Sequence, residues 1–190
     1  MSQSLITATR WGILPAIEQA LNDGADINIK AESGDLNGWT ALHIAADTNL
    51  LQIADLLITR GANINATAGT RDWTPLHAAA ARGHLQIITL LLTHGANVQA
   101  IARDNRTPLH VAVLRDHPQV VELLLSHNAV VYASLLYDAK KDHFYPLVNK
   151  TLIVNRLQVA IHIRRIALAK LALSNCPLGH DVISLIASFL

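Results

Sequence analysis

The sequence predicts an all-α protein built from tandem helix pairs that stack side by side. Three observations support this fold class. A phrase containing Thr40 returns at Thr74 and Thr107, which are 34 and then 33 residues apart. An apolar segment of helical length follows each phrase. Each apolar segment then ends at a glycine or asparagine, the residues that stop helices. A fixed period of this length indicates a solenoid in which neighbouring units bury one another.

Each phrase contains the residues that begin a helix. Thr74 and Thr107 occupy the N-cap position, where a hydroxyl can satisfy a backbone N–H that has no partner within the helix. Pro75 and Pro108 follow at the first helical position, where no hydrogen-bond donor is lost. The first phrase has Ala41 at that position. We therefore expect a short helix after each threonine.

The second segment of each repeat is apolar over too wide an arc for a surface helix. Leu85–Leu92, for example, is interrupted only by Gln86 and Thr89. Such a helix needs a neighbour on each side, which explains why these units occur in stacks. The stop residues that follow these helices favour a left-handed backbone: Gly61, Gly95 and Asn128.

The repeated T-P-L-H-x-A phrase, as in Thr74–Ala79, resembles the ankyrin repeat over about residues 5–131. A degenerate unit comes first: it has the stop Gly24-Ala25-Asp26 but lacks the opening T-P-L-H, which is typical of a capping repeat. The resemblance implies helix pairs with β-hairpin fingers at right angles to them. It also implies protein binding by the fingertips and the first-helix face.

We divide the chain into an ankyrin array over residues 1–131 and a helical C-terminal cap or extension over residues 132–190. The repeats of the array are 1–33 (the N-terminal capping repeat), 34–66, 67–100 and 101–131. The first finger is the longest: Thr40 lies 12 positions after Asn28, whereas Thr74 lies 9 after Asn65 and Thr107 lies 8 after Gln99. We expect this insertion, around Gly34, to protrude at the binding edge.

Family resemblance places partner contacts just before each repeat threonine and just after each Ala-Ala pair. All three tryptophans and six arginines fall at these positions, and these two residue types dominate interface hot spots. An aromatic and guanidinium surface suits an acidic or extended protein segment. The alternative is that each tryptophan only packs on the next finger and each arginine is only solvated. The predicted partner-binding residues are Arg10, Trp11, Leu36, Asn37, Trp39, Asp47, Arg71, Trp73, Arg82, Arg103, Arg106, Leu114 and Arg115.

The ten histidines raise the possibility of a catalytic or metal site, which the motifs do not support. His43, His77 and His110 take the fourth place of the phrase, where the resemblance implies that the imidazole bonds to the backbone of the adjacent finger. The sequence has no H-E-x-x-H, no C-x-x-C, no phosphate-binding loop and no G-x-S-x-G. We therefore predict a non-enzyme with no catalytic residue, no metal site and no cofactor.

Charge and cysteine content narrow the function class further. The formal net charge of +1 gives no signal for nucleic-acid binding. Residues 1–142 have a net charge of −3 and residues 143–190 one of +4, so the segment after the repeats has a different surface. The single Cys176 and the absence of a visible signal peptide favour a reducing, cytoplasmic location.

The segment after the repeats contains a predicted short helix over 132–139 and a long helix over 151–173. The long helix is expected to cover the last repeat, whose exposed side would otherwise be apolar. A membrane span is not expected, because the long helix has four basic residues: Arg156, Arg164, Arg165 and Lys170.

The last residues indicate an alternative function. Pro177, Asp181 and the apolar residues that end at Leu190 resemble the opening helix of an F-box. Some viral and intracellular-bacterial ankyrin effectors have such truncated F-box-like ends. This resemblance implies an adaptor that docks on ubiquitin-ligase machinery, in a host cytoplasm if the chain is an effector. The simpler interpretation is an amphipathic helix that closes the core.

Overall fold

The computed structural model describes residues 2–32, 34–132, 135 and 150–174. This part of the chain forms four helix pairs and one long helix, with a 3₁₀ turn in the first finger. The pairs are α1 (Ser2–Arg10) with α2 (Leu14–Asn22), α3 (Ala41–Asp47) with α4 (Leu51–Thr59), α5 (Pro75–Arg82) with α6 (Leu85–Thr93), and α7 (Pro108–Leu114) with α8 (Pro118–Ser126); the 3₁₀ turn is Gly34–Leu36 and the long helix is α9 (Lys150–Ser174). The predicted all-α solenoid is confirmed.

The fingers between the helix pairs are tight loops. Single β-bridges close the first two fingers, Lys30 with Thr40 and Ala68 with Trp73, and the described residues contain no extended strand. A backbone hydrogen bond of 2.8 Å from the Arg103 N–H to the Arg71 carbonyl joins the second finger to the third. The fingers therefore form a connected edge along the stack.

The repeat threonines begin α3, α5 and α7 as predicted. Each is in an extended conformation and forms a capping box with the histidine three residues later. At the first repeat, Nδ1 of His43 accepts the backbone N–H of Thr40 at 3.4 Å and lies 2.7 Å from its hydroxyl oxygen. Pro75 and Pro108 occupy the first helical position.

The other nitrogen of these imidazoles bonds to the next repeat. Nε2 of His43 lies 2.9 Å from the carbonyl oxygen of Trp73, and Nε2 of His77 lies 3.1 Å from that of Arg106. Since a carbonyl only accepts, Nε2 bears the proton and Nδ1 is the acceptor. The predicted link between adjacent fingers is confirmed for both histidines.

This hydrogen-bond pattern requires neutral rings. Burial lowers the pKa of His43 from 6.5 to about 4, although the bond to the Trp73 carbonyl acts in the opposite direction. Burial also lowers the pKa of His77. A second proton on the His43 ring would place an N–H on Nδ1, facing the N–H of Thr40. Protonation therefore opposes the native geometry.

Residues with a left-handed backbone conformation follow the second helix of each repeat. Gly61, Gly95 and Asn128 follow the second helices with φ of 89°, 85° and 64°, as predicted. The turn inside each helix pair has the same property, which the sequence reasoning did not identify. Its residues are Gly12, Asn49, Gly83 and Asp116, all with positive φ.

The stack has two layers, an inner layer of first helices and an outer layer of second helices. The inner helices contact one another more extensively than the outer ones do. Small residues permit this close approach, because fully buried alanines such as Ala45, Ala79 and Ala112 lie between inner helices. The outer layer uses Leu57, Leu91 and similar larger side chains. Unequal spacing of this kind curves a solenoid toward its inner helices.

Asparagines join the loops that follow the second helices. The side-chain oxygen of Asn28 accepts the backbone N–H of Asn63 at 2.8 Å. That of Asn65 accepts the N–H of Asn97, also at 2.8 Å. Asn63 and Asn97 in turn accept the N–H two residues later, so each loop is a short Asx turn. The ladder fixes the register of successive repeats at the loops that lead from the second helices into the fingers.

Helix α9 packs on α8, the last helix of the array. Ile153 and Leu157 are fully buried, and Arg156 forms an ion pair with Glu122 at 3.2 Å. Farther along α9, Ile163 is 61% exposed. No helix in the described part of the chain is long and apolar enough to cross a membrane.

Two expectations concern residues that the structure does not describe. The predicted short helix over 132–139 lies outside the described residues apart from Tyr132 and Leu135. The F-box-like segment, 177–190, lies wholly outside them. Tyr132 itself stacks on the ring of His110 with centroids 5.9 Å apart.

Candidate protein-interaction surface

Residues from successive repeats line a cleft of about 340 Å³ between the fingers and the inner helices. We call it the central cleft. Seven of the predicted partner-binding residues meet there, although the sequence places them up to 79 residues apart, from Leu36 to Arg115. The lining residues are Asp35, Leu36, Trp39, Asp47, Arg71, Trp73, Ala81, Arg82 and Arg115.

Two of the three tryptophans form part of this cleft and also pack on the scaffold. The indole of Trp39 lies over Gly69, where a Cβ atom would approach Nε1 to 2.9 Å. The ring of Trp73 stacks on His77, with centroids 6.2 Å apart and an interplanar angle of 20°. Both side chains are half-buried. Each tryptophan therefore supports a finger and lines the cleft at the same time.

Trp73 has one further contact and one unsatisfied hydrogen-bond donor. The guanidinium of Arg71 lies 5.4 Å from the centroid of its ring, within the range of a cation–π interaction. Its indole N–H is shielded from solvent and has no acceptor among the described residues. An indole N–H usually finds an acceptor when buried, so this position holds an unused donor next to the cleft.

Three of the predicted arginines have carboxylate partners within the protein. Arg82 binds Asp47 with two hydrogen bonds, of 2.8 and 3.1 Å. Both the hydrogen bond and the charge of Asp47 raise the pKa of Arg82 above its usual value. Arg103 of the third finger pairs with Asp72 of the second at 3.0 Å, and Arg106 pairs with Asp104 within the third finger at 3.4 Å.

The other three predicted arginines, Arg10, Arg71 and Arg115, have no such carboxylate partner among the described residues. Arg71 is stacked on an indole, as described above. Arg10 and Arg115 are exposed and form no ion pair with any residue that the structure describes. Only Arg115 of these two lines the central cleft.

The other predicted contact residues lie outside the central cleft. Trp11 is 71% exposed, next to Arg10 at the end of α1. Asn37 lines a separate polar groove between the first and second fingers. The last three, Arg103, Arg106 and Leu114, do not line the central cleft.

Sequence reasoning missed Asp35 as a cleft residue. It belongs to the first-finger insertion, which folds into a 3₁₀ turn beside the cleft. The length of the insertion indicates the binding edge, and its two carboxylates, Glu32 and Asp35, are the available sequence signal. Leu36 of the same turn packs against the core, so the insertion is anchored at that point.

The described residues contain no group of three or more His, Cys, Asp or Glu side chains that could hold a metal ion. The repeat histidines are instead engaged in capping boxes. Within the described part, the cleft chemistry is aromatic and ionic.

Comparison with protein families agrees with this geometry. The family model for ankyrin repeats (3 copies) matches residues 2–68 and residues 66–134. Because these matches cover more than half of the chain, the protein belongs to the ankyrin-repeat family. No match is found among curated protein sequences. Ankyrin repeats are generally non-enzymatic modules for protein–protein interaction.

Proposed function

We propose that this chain binds a protein partner through the central cleft and the neighbouring fingertips, without catalysing a reaction. The observation that supports the proposal is the cleft itself. It brings together aromatic and guanidinium groups from three repeats, at the positions where the family places its contacts. Such a site depends on the stacking of the repeats.

The dimensions of the cleft favour a partner that inserts a chain segment over one that binds with a flat surface. Its volume of about 340 Å³ is at the low end of the range for ligand pockets. Apolar groups from Leu36 and the two tryptophans can bury side chains of the partner. Charged groups around them can fix its register. We therefore infer that the partner inserts an extended, acidic stretch.

A capture experiment tests this function. The full chain is immobilised, proteins retained from lysate are identified, and the dissociation constant of the main partner is then measured. The double variant Arg82→Ala with Arg115→Ala should weaken binding by about 2 kcal/mol or more, about 30-fold in the dissociation constant. The matched control, Gln52→Ala with Gln86→Ala, changes exposed residues of outer helices α4 and α6 and should bind normally.

One outcome of this experiment would contradict the proposed interface. If both double variants bind as tightly as the wild type, the interface lies elsewhere. Trp39→Ala and Trp73→Ala are less suitable, because both rings also pack on the fingers. Their use requires an unfolding measurement beside the binding measurement.

The adaptor function stays a prediction from residues 177–190. The same capture experiment tests it, since only an adaptor should retain a ubiquitin-ligase scaffold protein. Loss of that scaffold protein on deletion of residues 177–190, with the main partner still retained, would support docking by this segment.

A further inference from the structure

We propose that the central cleft binds an anionic side chain of the partner, and that Arg115 and Arg71 receive it while Arg82 does not. This inference rests on the proposed function and adds the chemistry of the recognised side chain. It assigns different roles to three arginines that the sequence alone presents as equivalent.

Arg82 is already neutralised. Its guanidinium forms a two-point pair with Asp47, whose side chain is only 17% exposed. A partner carboxylate at Arg82 would have to displace Asp47 or approach it closely, and two like charges at short distance repel. Arg82 therefore positions Asp47 and shapes the wall of the cleft.

Arg115 is available to a partner. It follows α7 as the C-cap residue, is exposed, lines the cleft, and forms no ion pair within the described part of the chain. When a partner covers the cleft, this cation loses solvent. Burying a charge without a counter-charge is costly, so the bound segment needs an anion near this position.

Arg71 is held in place before binding. Its guanidinium lies over the Trp73 ring, 5.4 Å from the centroid, and a guanidinium held by a cation–π contact still has N–H groups to donate to an anion. Because this contact already restricts the Arg71 side chain, less conformational freedom is lost when the partner binds. Among the residues that the structure describes, neither Arg71 nor Arg115 has a carboxylate partner, so the two give the cleft two cations that can receive an anion.

Asp35 makes the charge of the cleft uneven along the stack of repeats. It contributes the only charge from the first finger among the lining residues, while Arg71 and Arg115 come from the second finger and the end of α7. An anionic side chain is therefore favoured toward α7 and disfavoured beside the first finger. A bound segment should have one orientation along the stack.

Immobilised peptide libraries test this assignment. Decapeptides are randomised except at one position, which is fixed as Glu, Gln, phosphoserine or Ser, and binding of the full chain is compared. We expect at least a tenfold preference for Glu over Gln, and Arg115→Gln should abolish it. Arg71→Gln should reduce it. The double variant Arg82→Gln with Asp47→Asn removes the internal ion pair as a unit and should leave at least half of the preference. If the preference for phosphoserine over Ser is larger than that for Glu over Gln, the recognised anion is a phosphorylated side chain.

The outcomes separate this inference from the proposed function. Equal binding to the Glu and Gln libraries, or an Arg115→Gln variant that keeps the preference, overturns the anion assignment. If a captured protein still depends on the cleft residues in that case, the proposed function stands. A preference lost equally in the double variant Arg82→Gln with Asp47→Asn would refute the division of roles. Unfolding curves of all three variants confirm that each is folded.

Discussion

Acid should weaken the fold through the neutral histidines that join the fingers. His43 is fully buried, accepts the Thr40 N–H at Nδ1 and donates from Nε2 to the Trp73 carbonyl. The pKa of His43 is about 4 in the folded chain and 6.5 as the ordinary value. The unfolded chain therefore binds a proton at His43 over a pH range in which the folded chain does not.

The direction of the effect follows from proton binding. A depressed histidine pKa stabilises the fold above pH 6.5, and this stabilisation is lost as the pH falls toward 4. A difference of this size corresponds to about 3 kcal/mol of unfolding free energy. This is a large fraction of the stability of an ordinary domain. His77, whose pKa is also lowered, should add to the loss in the same direction.

Urea unfolding followed by circular dichroism between pH 7.5 and 4.5 measures the effect. His43→Gln should be less stable than wild type at pH 7.5, but should lose less stability on acidification. Ala45→Gly is the matched control, because it weakens the same helix α3 without removing a titratable group. It should keep the wild-type dependence on pH. If His43→Gln and wild type lose equal stability between pH 6.5 and 4.5, the reasoning about the buried ring is refuted.

Three further predictions concern packing. Gly69→Ala should destabilise the fold more than Gly61→Ala, because both have positive φ but only the Cβ at Gly69 would meet the Trp39 indole; equal melting temperatures would contradict this. Truncation after Val131 should yield an aggregating or poorly soluble product, since it removes α9 and exposes apolar surface of the last repeat, whereas a monomer with unchanged melting temperature would refute it. Asn65→Ala should lower the unfolding free energy by about 1 kcal/mol, measured in urea, by removing the bond to Asn97; no change would show that the ladder is not stabilising.

The helices of the array were predictable because each has its own local signal. Threonine caps, first-turn prolines and left-handed stops act within a few residues, and the structure places them as expected. The period of the phrase then supplies the stacking. The turn residues Asn49 and Asp116 were missed, because neither is glycine and their positive φ depends on the helix pair as a whole.

Whether each arginine forms an ion pair within the protein could not be predicted, because its carboxylate partner can come from another repeat. Asp47 lies 35 residues before Arg82, and Asp72 lies 31 residues before Arg103. Neither pairing follows from the repeat pattern, which fixes the position of a side chain along the stack but not its rotamer. For the same reason the sequence does not decide between a packing and a binding role for the tryptophans, whereas in the structure Trp39 and Trp73 each pack on the scaffold and also line the cleft.

The most direct test of the proposed interface is to determine which side of the solenoid contacts the partner. A photo-crosslinking amino acid is introduced at Ala81, which lines the central cleft, or at Gln86, which is exposed on the outer helix α6. The captured partner is irradiated with each variant. Crosslinking from position 81 and none from position 86 is the result we expect. Crosslinking from position 86 alone would place the interface on the opposite layer and contradict the account.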